Sequence, residues 1–269
     1  MSILSWNCPG LGNPATVQVL VDLVHSKKPS IIFLAETFAG TNKLSPIKTK
    51  LGFHGLFCVN NEGHSGGLAL LWKEDTKVSI TSYSKHHIDA TISLSLVDIE
   101  WRFTGFYGAP ERHRRPESWA LLKQLSTTSP LPWTVMGDFN DILHQDEKRG
   151  GNPQPLRLIS GFREAVEASG LRDFGFNGYQ FTWERSKGTP QWVEAKLDRI
   201  LNTDSWCDLF PNAKAESITT ARSDHMPLHL QILPPDTPNP KSGFRFENLW
   251  LREAHCREIM IESWSKTYS

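Results

Sequence analysis

Apolar and polar positions follow one another along this chain in two rhythms, and the changes between them mark its elements. Residues 2–6 and 31–34 are short apolar runs that read as buried strands. Between them, Asn13-Pro14 supplies a capping side chain followed by proline at the first helical position. Val17, Leu20, Val21 and Val24 then fall on one helical face. From Gly55 to Tyr107 the rhythm shortens. Runs rich in Val, Ile, Thr and aromatic residues at 68–72, 77–83, 88–96 and 99–107, with polar turns between, predict antiparallel strands. A helix is expected near 117–125, after Pro116, and a strand at 133–136 that ends in Gly137-Asp138. Leu158, Ile159, Phe162, Ala165 and Val166 mark another amphipathic helix. Residues 179–183 and 192–201 read as a hairpin around the polar loop 184–191, and 227–233 as a last strand.

Strands and helices mixed throughout favour two packed sheets with helices outside. Four prolines at 234–242 interrupt the pattern. The domain is therefore expected to span 1–233, followed by a Pro-rich linker over 234–243 and a C-terminal segment over 244–269. Phe244, Phe246, Leu249, Trp250, Ile259, Met260 and Trp264 could give that segment an amphipathic helix with nothing left in the chain to pack on.

Length and composition narrow the picture. At 269 residues the chain is within reach of one large α/β domain. Ten tryptophans, scattered from Trp6 to Trp264, suit core packing. The 29 basic and 29 acidic residues leave no formal net charge. A sequence-independent DNA binder leans basic, because phosphate neutralisation drives its affinity. Neutrality thus counts against a tight nucleic-acid module, but not against an enzyme that holds a metal among carboxylates and touches DNA over one face. Cys8, Cys58, Cys207 and Cys256 lack zinc spacing and read as reduced thiols. The N-terminus shows no basic, apolar leader, and the longest apolar runs are too short to span a bilayer. The expected location is nuclear or cytoplasmic, not secreted and not membrane-bound.

Five apolar runs end directly in a residue suited to metal or phosphate: Asn7, Glu36, Tyr107, Asp138 with Asn140, and Asp224-His225. Asp198 adds a carboxylate inside a strand-like run. Strand ends are held by the sheet yet open to a cleft, where a preorganised site can be built. A hard cation such as Mg²⁺ or Mn²⁺ takes oxygen ligands and one or two carboxylates, which Glu36 and Asn7 fit. Asp138 fits the carboxylate that positions or deprotonates an attacking water. His225, oriented by Asp198, fits a phosphate contact that stabilises developing charge. Tyr107 and Asn140 can donate to non-bridging oxygens. Each residue alone has an ordinary reading as a turn, cap or core residue; the argument lies in their joint occurrence.

The segments WNCPGLG, LAET, SGGLALLW, FYGAP, GDFND, KLDRIL and SDHMPL stand in the order found in the endonuclease/exonuclease/phosphatase superfamily, which the chain resembles. The finer resemblance is to the endonuclease domain of plant non-LTR retrotransposon (long interspersed element) proteins. It rests on SWNCPGLGNPATV, GDFNDIL, DEKRGG, GLRDFGFNGYQFTW, LDRIL and SDHMPLHL, and FRFENLW resembles the connector to a reverse transcriptase. The resemblance implies a DNase I-like fold, a four-layer α/β sandwich of two mixed sheets with helices outside. It implies metal ligands Asn7 and Glu36, phosphate contacts Tyr107 and Asn140, water activation by Asp138, and Asp224 near the metal. It also implies His225 at the phosphate, fixed by Asp198. Apurinic endonucleases carry Asp two residues after the Asn, where this chain has Pro9; that weakens a second metal position and argues against abasic-site repair.

Three basic groups flank these loops: Arg112, Arg114 and Arg115 after the 108–110 turn, Lys148-Arg149, and Arg185 with Lys187. Lys196 stands where retroelement relatives often carry Arg. A solvated surface is the usual fate of such clusters. Their position favours a rim of phosphate contacts. The expected activity is a Mg²⁺- or Mn²⁺-dependent endonuclease, acting as a monomer, that nicks DNA to leave a 3′-hydroxyl. Its expected partners are DNA and a reverse transcriptase domain absent from this chain. The rivals are a phosphodiesterase or phosphatase for a small or lipid phosphate, and a decayed domain that binds nucleic acid without cutting.

Overall fold

Strand β1 (Ser2–Asn7) is buried along its whole length and lies at the centre of a six-stranded sheet. It runs parallel to β2 (Ile31–Ala35), with which it is joined through helix α1 (Pro14–Lys27). A parallel pair needs such a crossover. The sheet order is β14 (Lys214–Ser217), β15 (Leu228–Gln231), β1, β2, β4 (Leu68–Trp72), β3 (Gly55–Val59). The second sheet runs β10 (Arg172–Asp173), β13 (Asp198–Asn202), β8 (Trp133–Asp138), β7 (Ile99–Tyr107), β6 (His87–Leu94), β5 (Lys77–Ser84). A small third sheet joins β11 (Trp183–Arg185), β12 (Val193–Ala195) and β9 (Lys148–Arg149). This computed structural model describes residues 1–8, 10–60, 66–94, 99–220 and 223–233. Pro9, the end of the strand expected over 88–96, and the linker and connector expected over 234–269 lie outside the described residues.

Alternation along the strands builds the layers. Ile3, Ile31, Phe33, Leu68 and Leu70 face one core together with Ile92, Trp101, Phe103, Met136 and Ile200 of the second sheet. The intervening Leu4, Trp6, Ile32, Leu34, Ala69 and Leu71 pack with Leu20, Leu23 and Val24 of α1 and with Leu44 and Ile47 of helix α2 (Thr41–Lys50). On the far side, Trp133, Val135 and Leu201 meet helices α3 (Arg115–Ser126) and α4 (Leu156–Ala168) through Leu122, Leu125, Phe162 and Val166. Period-two side chains thus supply two faces per sheet, and the result is helix, sheet, sheet, helix. Trp101 and Trp206 meet edge-on in the central layer, their ring centroids 6.2 Å apart. Met1–Leu233 form one compact unit. Among the described residues no helix is long and apolar enough to cross a membrane. Cys8, Cys58 and Cys207 are free thiols.

One expectation needs correction and another gains detail. The runs from 68 to 107 pair antiparallel as expected but divide between the sheets: β4 pairs with β2 and β3 in the first, whereas β5, β6 and β7 form an antiparallel edge of the second. The hairpin expected from 179–183 and 192–201 is confined to β11 and β12, and the chain then crosses into the second sheet as β13. The Thr182 hydroxyl accepts hydrogen bonds from the backbone N–H groups of Leu197 and Asp198, and so marks the crossing. Helix α2 is not evident in the sequence pattern, because Pro46 lies within it and only Leu44 and Ile47 are buried.

The start of α1 forms as its sequence predicts. Asn13 Oδ1 accepts from Ala15 N at 2.9 Å, and Pro14 needs no donor there. Asn13→Ala is expected to cost about 1 kcal/mol, a fall in Tm of a few degrees by calorimetry. A variant that melts at the wild-type temperature would show that the cap contributes nothing.

Candidate active site

The register of the second sheet sets three polar residues on one rung. Parallel pairing puts Tyr107 of β7 opposite Asp138 of β8, and antiparallel pairing puts Asp198 of β13 opposite Asp138. One residue before Asp138, Gly137 has φ +149°, and a Cβ there would fall 1.9 Å from the Phe106 carbonyl oxygen. The first sheet brings Asn7 to the same place. Asn7 pairs with Ala35, so Glu36 follows immediately beyond the strand end. The chain before β15 adds His225, whose carbonyl accepts from the Trp6 indole at 3.2 Å.

These side chains are in direct contact. Asn7 Nδ2 donates to Asp138 Oδ2 at 2.9 Å and to Glu36 Oε1 at 3.1 Å, and lies 3.4 Å from His225 Nε2. The Tyr107 hydroxyl donates to Glu36 Oε1 at 2.8 Å. Asn140 donates to Asp138 twice, from its backbone N–H at 2.8 Å and from Nδ2 at 3.0 Å. His225 Nδ1 and Asp198 Oδ2 are 2.8 Å apart, which places the Nδ1 proton toward Asp198 and turns Nε2 toward Asp138, 3.7 Å away. Glu36 and Asn140 have φ of +53° and +55°. Asn tolerates that conformation better than Glu does, and such strain is held where the surroundings over-determine it.

Electrostatics divide the group. Burial pushes the Asp138 carboxyl up to about 7; His225 pulls it down and Asp198 pushes it further up. Burial opposes charge on His225, but Asp198 and Asp138 outweigh it and carry the imidazole up to about 10. The two carboxylates thus favour the imidazolium form of His225, and Asp138, a carboxyl held above its usual range, is suited to exchanging a proton. Burial, then Glu36 and Asp138, hold the Tyr107 hydroxyl far above its ordinary range, so it remains a donor.

Two sets of donors could hold a cation. Asp138, Asp198 and His225 each offer an atom within 4.8 Å of the others. In that set the His225 Nδ1 and Asp198 Oδ2 already satisfy one another. The second set is Glu36 and Asn7, with Asp224 on the same cleft wall. Among the described residues no hydrogen bond reaches Glu36 Oε2 or Asn7 Oδ1. These are hard oxygen donors with a single carboxylate at their centre, so they fit Mg²⁺ or Mn²⁺ better than the nitrogen-containing set does.

The group opens on a cleft of about 730 Å³ whose wall includes Glu36, Asp138, Asn140, Asp224 and His225. Arg112, Arg115, Lys148 and Arg185 also line it. The remaining predicted cations lie elsewhere. Arg114 pairs with Glu117 at 3.0 Å and borders a neighbouring hollow beside Tyr107. Arg149 stacks over Phe181 and reaches Glu194 at 3.3 Å. Lys187 pairs with Glu184 at 2.8 Å, and Lys196 with Asp173 at 2.7 Å. Arg115, although on the cleft, is buried and bonded to Asp141 at 2.8 Å.

Sequence reasoning did not single out Thr182 or Trp183. Thr182 holds the backbone at Asp198, and Trp183 donates from its indole to Asp224 Oδ2 at 3.1 Å. Nothing in a Thr-Trp pair within a strand-like run distinguishes it from core packing. Gly108 is a third such residue: its carbonyl accepts from Asn140 Nδ2 at 3.1 Å.

Residues 4–225 match the endonuclease/exonuclease/phosphatase family. None of the curated protein sequences compared with the chain matches it. Among solved structures, the endonuclease domain of TRAS1, a telomere-specific non-LTR retrotransposon, is similar with a TM-score of 0.62 at 13% identity, over 86% of this chain and 97% of that one. An AP endonuclease from Archaeoglobus fulgidus gives 0.64 at 17% identity, over 86% and 99%. The 3′ phosphatase NExo from Neisseria, bound to a product DNA hairpin, gives 0.63 at 17%, over 87% and 99%. At these identities the likeness concerns the fold, a DNase I-like α/β sandwich.

Proposed function

The chain belongs to the endonuclease/exonuclease/phosphatase family, and from that premise we propose that it is a divalent-metal-dependent endonuclease that nicks DNA and leaves a 3′-hydroxyl. The finer part of the proposal is a role like that of the endonuclease domain in plant non-LTR retrotransposon proteins. The observation that carries the hydrolytic reading is the rung on which Asp138 stands between Tyr107 and Asp198, with Asn7 and Glu36 of the other sheet against it. DNA as substrate is supported by Arg112, Lys148 and Arg185 on the cleft wall and by the fold shared with TRAS1.

Glu36 and Asn7, with Asp224 nearby, are assigned to the metal, Mg²⁺ or Mn²⁺. When bound, it would polarise the scissile phosphate and stabilise the leaving oxygen. Asp138 orients the attacking water and takes its proton, which suits a carboxyl pushed up to about 7. The His225 imidazolium, held by Asp198, faces the charge that builds on phosphorus. Tyr107 and Asn140 donate to the non-bridging oxygens. Asn7 orders the arrangement by donating to both Glu36 and Asp138.

The test is nicking of supercoiled plasmid beside hydrolysis of inositol phosphates and sphingomyelin. Nicking is expected with Mg²⁺ or Mn²⁺ and none in excess EDTA. Turnover of a small phosphate without nicking would move the substrate class, and nicking undiminished by EDTA would remove the metal. At the rim, Arg112→Ala with Arg185→Ala is expected to weaken DNA binding at little cost in Tm, since both side chains are exposed. The salt dependence should become shallower by about one unit of log–log slope per lost phosphate contact. An unchanged slope takes both residues off the DNA path.

Residues 234–243 are proposed as a linker, and 244–269 as a connector toward a reverse transcriptase. The chain is proposed to act as a monomer in the nucleus or cytoplasm. A chain ending at Leu233 is then expected to nick at the full rate and melt near the full-length temperature. Loss of either property would make the C-terminal segment part of the nuclease.

A further inference from the structure

Trp183 stands at a junction between the rim of the cleft and its catalytic end. Its strand is joined on one edge to β12, where Trp183 pairs with Ala195. The other edge is joined to the chain around His225. The Glu184 N–H donates to the Asp224 carbonyl at 2.9 Å, the Met226 N–H to the Thr182 carbonyl at 2.7 Å, and Trp183 and His225 form an antiparallel bridge between them. The Trp183 side chain adds to this backbone join. Its indole Nε1–H donates to Asp224 Oδ2 at 3.1 Å, and its ring centroid lies 6.5 Å from that of His225. The ring is also part of the cleft wall.

Asp224 differs from the other acidic groups of the site in being exposed. An exposed aspartate without a partner moves among rotamers. Among the described residues, the Trp183 indole is the one side-chain donor to its carboxylate. His225 has Asp198 to fix its ring, whereas Asp224 has Trp183. Arg185, on the cleft rim, lies two residues further along the same strand.

We propose that Trp183 is a positioning residue for the reaction. Its indole N–H holds the Asp224 carboxylate at the cleft, and its ring covers one side of His225. The proposal rests on the assignment of Asp224 and His225 to phosphodiester hydrolysis. Strand β11 then serves the site twice, since it presents a cation to the substrate backbone and holds a carboxylate beside the reacting atoms.

Packing is the competing role, since Trp183 also lies against the small apolar cluster of Ile142, Ile159 and Ala195. Trp183→Phe, read for both activity and Tm, separates the two, because it removes the donor with part of the ring's volume yet keeps an aromatic ring against the cluster. In protein labelled with ¹⁵N-tryptophan, the indole signal missing from Trp183→Phe identifies Trp183. That signal is expected to move upfield and to exchange faster with solvent in Asp224→Ala. In steady-state nicking, Trp183→Phe is expected to lower kcat about 10-fold, the usual scale for groups that orient metal-site and catalytic residues. KM for plasmid should stay within about twofold and Tm should hold, because the wall and the rim are intact. An indole signal indifferent to Asp224→Ala overturns the proposal. So does a Trp183→Phe enzyme with wild-type kcat, or one that loses only Tm. If the wild type fails to nick with any divalent metal, the assigned function falls, while the indole signal still decides whether the clamp exists.

Discussion

Asp138→Asn is expected to lower the nicking rate by about 10²-fold or more while leaving the melting temperature close to wild type. The two halves of this result have separate causes. The carboxylate accepts from Asn7 and twice from Asn140, and it is the group assigned to the water's proton. An amide can accept such bonds but cannot take that proton. Stability responds to opposing effects. At least one of the three donors loses its acceptor, because Oδ2 serves two of them and Oδ1 the third, and the amide keeps a single oxygen. At the same time a buried group whose charged form is disfavoured, with its carboxyl pushed up to about 7, is replaced by a neutral one. Calorimetry and plasmid nicking on the same preparation check both halves. A variant that nicks like wild type sinks the assignment of Asp138.

The largest loss of stability is expected one residue beyond Asp198. Arg199 is fully buried and bridges Glu147 and Asp173, the latter at 2.6 Å, with its remaining amino group also on the Lys196 carbonyl. The side chains of Glu147 and Asp173 are only 14% and 19% exposed. Arg199→Met leaves these two mostly buried carboxylates with Lys196 as their one remaining cation among the described residues, 2.7 Å from Asp173 and 3.9 Å from Glu147. Breaking a buried pair in this way costs about 3–5 kcal/mol, or roughly 10 °C in Tm for a unit of this size. The cause is the stranded charge rather than the missing cation. Adding Glu147→Gln and Asp173→Asn to Arg199→Met should therefore recover much of the loss. If the triple variant melts no higher than Arg199→Met, the destabilisation comes from packing around the guanidinium.

Most of the polar residues that meet in the cleft were legible because they follow an apolar run, whereas Asp198 opens β13 and His225 stands before β15. A strand end is a local pattern, and the sheets carry such ends to one place. Asn7, Glu36, Tyr107, Asp138, Asp198 and His225 come together for this reason. The cations were less legible, because what an Arg or Lys does depends on a partner that local sequence does not reveal. Lys196 finds Asp173, and Arg149 finds Glu194 together with the Phe181 ring. Lys148, the neighbour of Arg149, is the one of that pair on the cleft wall. Strand composition marked 68–72 correctly as a strand, but composition does not say which sheet a strand joins, and β4 pairs with β2 and β3. The break between β12 and β13 was hidden in an unbroken β-type run; it depends on the hydroxyl of Thr182, just before β11.

The central place of β1 bears on how this protein is born. Strand β1 has β15, the last of the described strands, as one of its two neighbours, and Asn7 meets His225 across 218 residues of chain. At synthesis speeds of about 5–20 residues per second, roughly 10–40 s pass between the making of these two residues. Throughout that interval one edge of β1 has no partner, and Asp198 and Asp138 have no imidazole. Until β15 is made the proposed site lacks His225, so the proposed activity is expected to be absent from the nascent chain. The proposed cutting activity is expected to arise abruptly, only after β15 has docked.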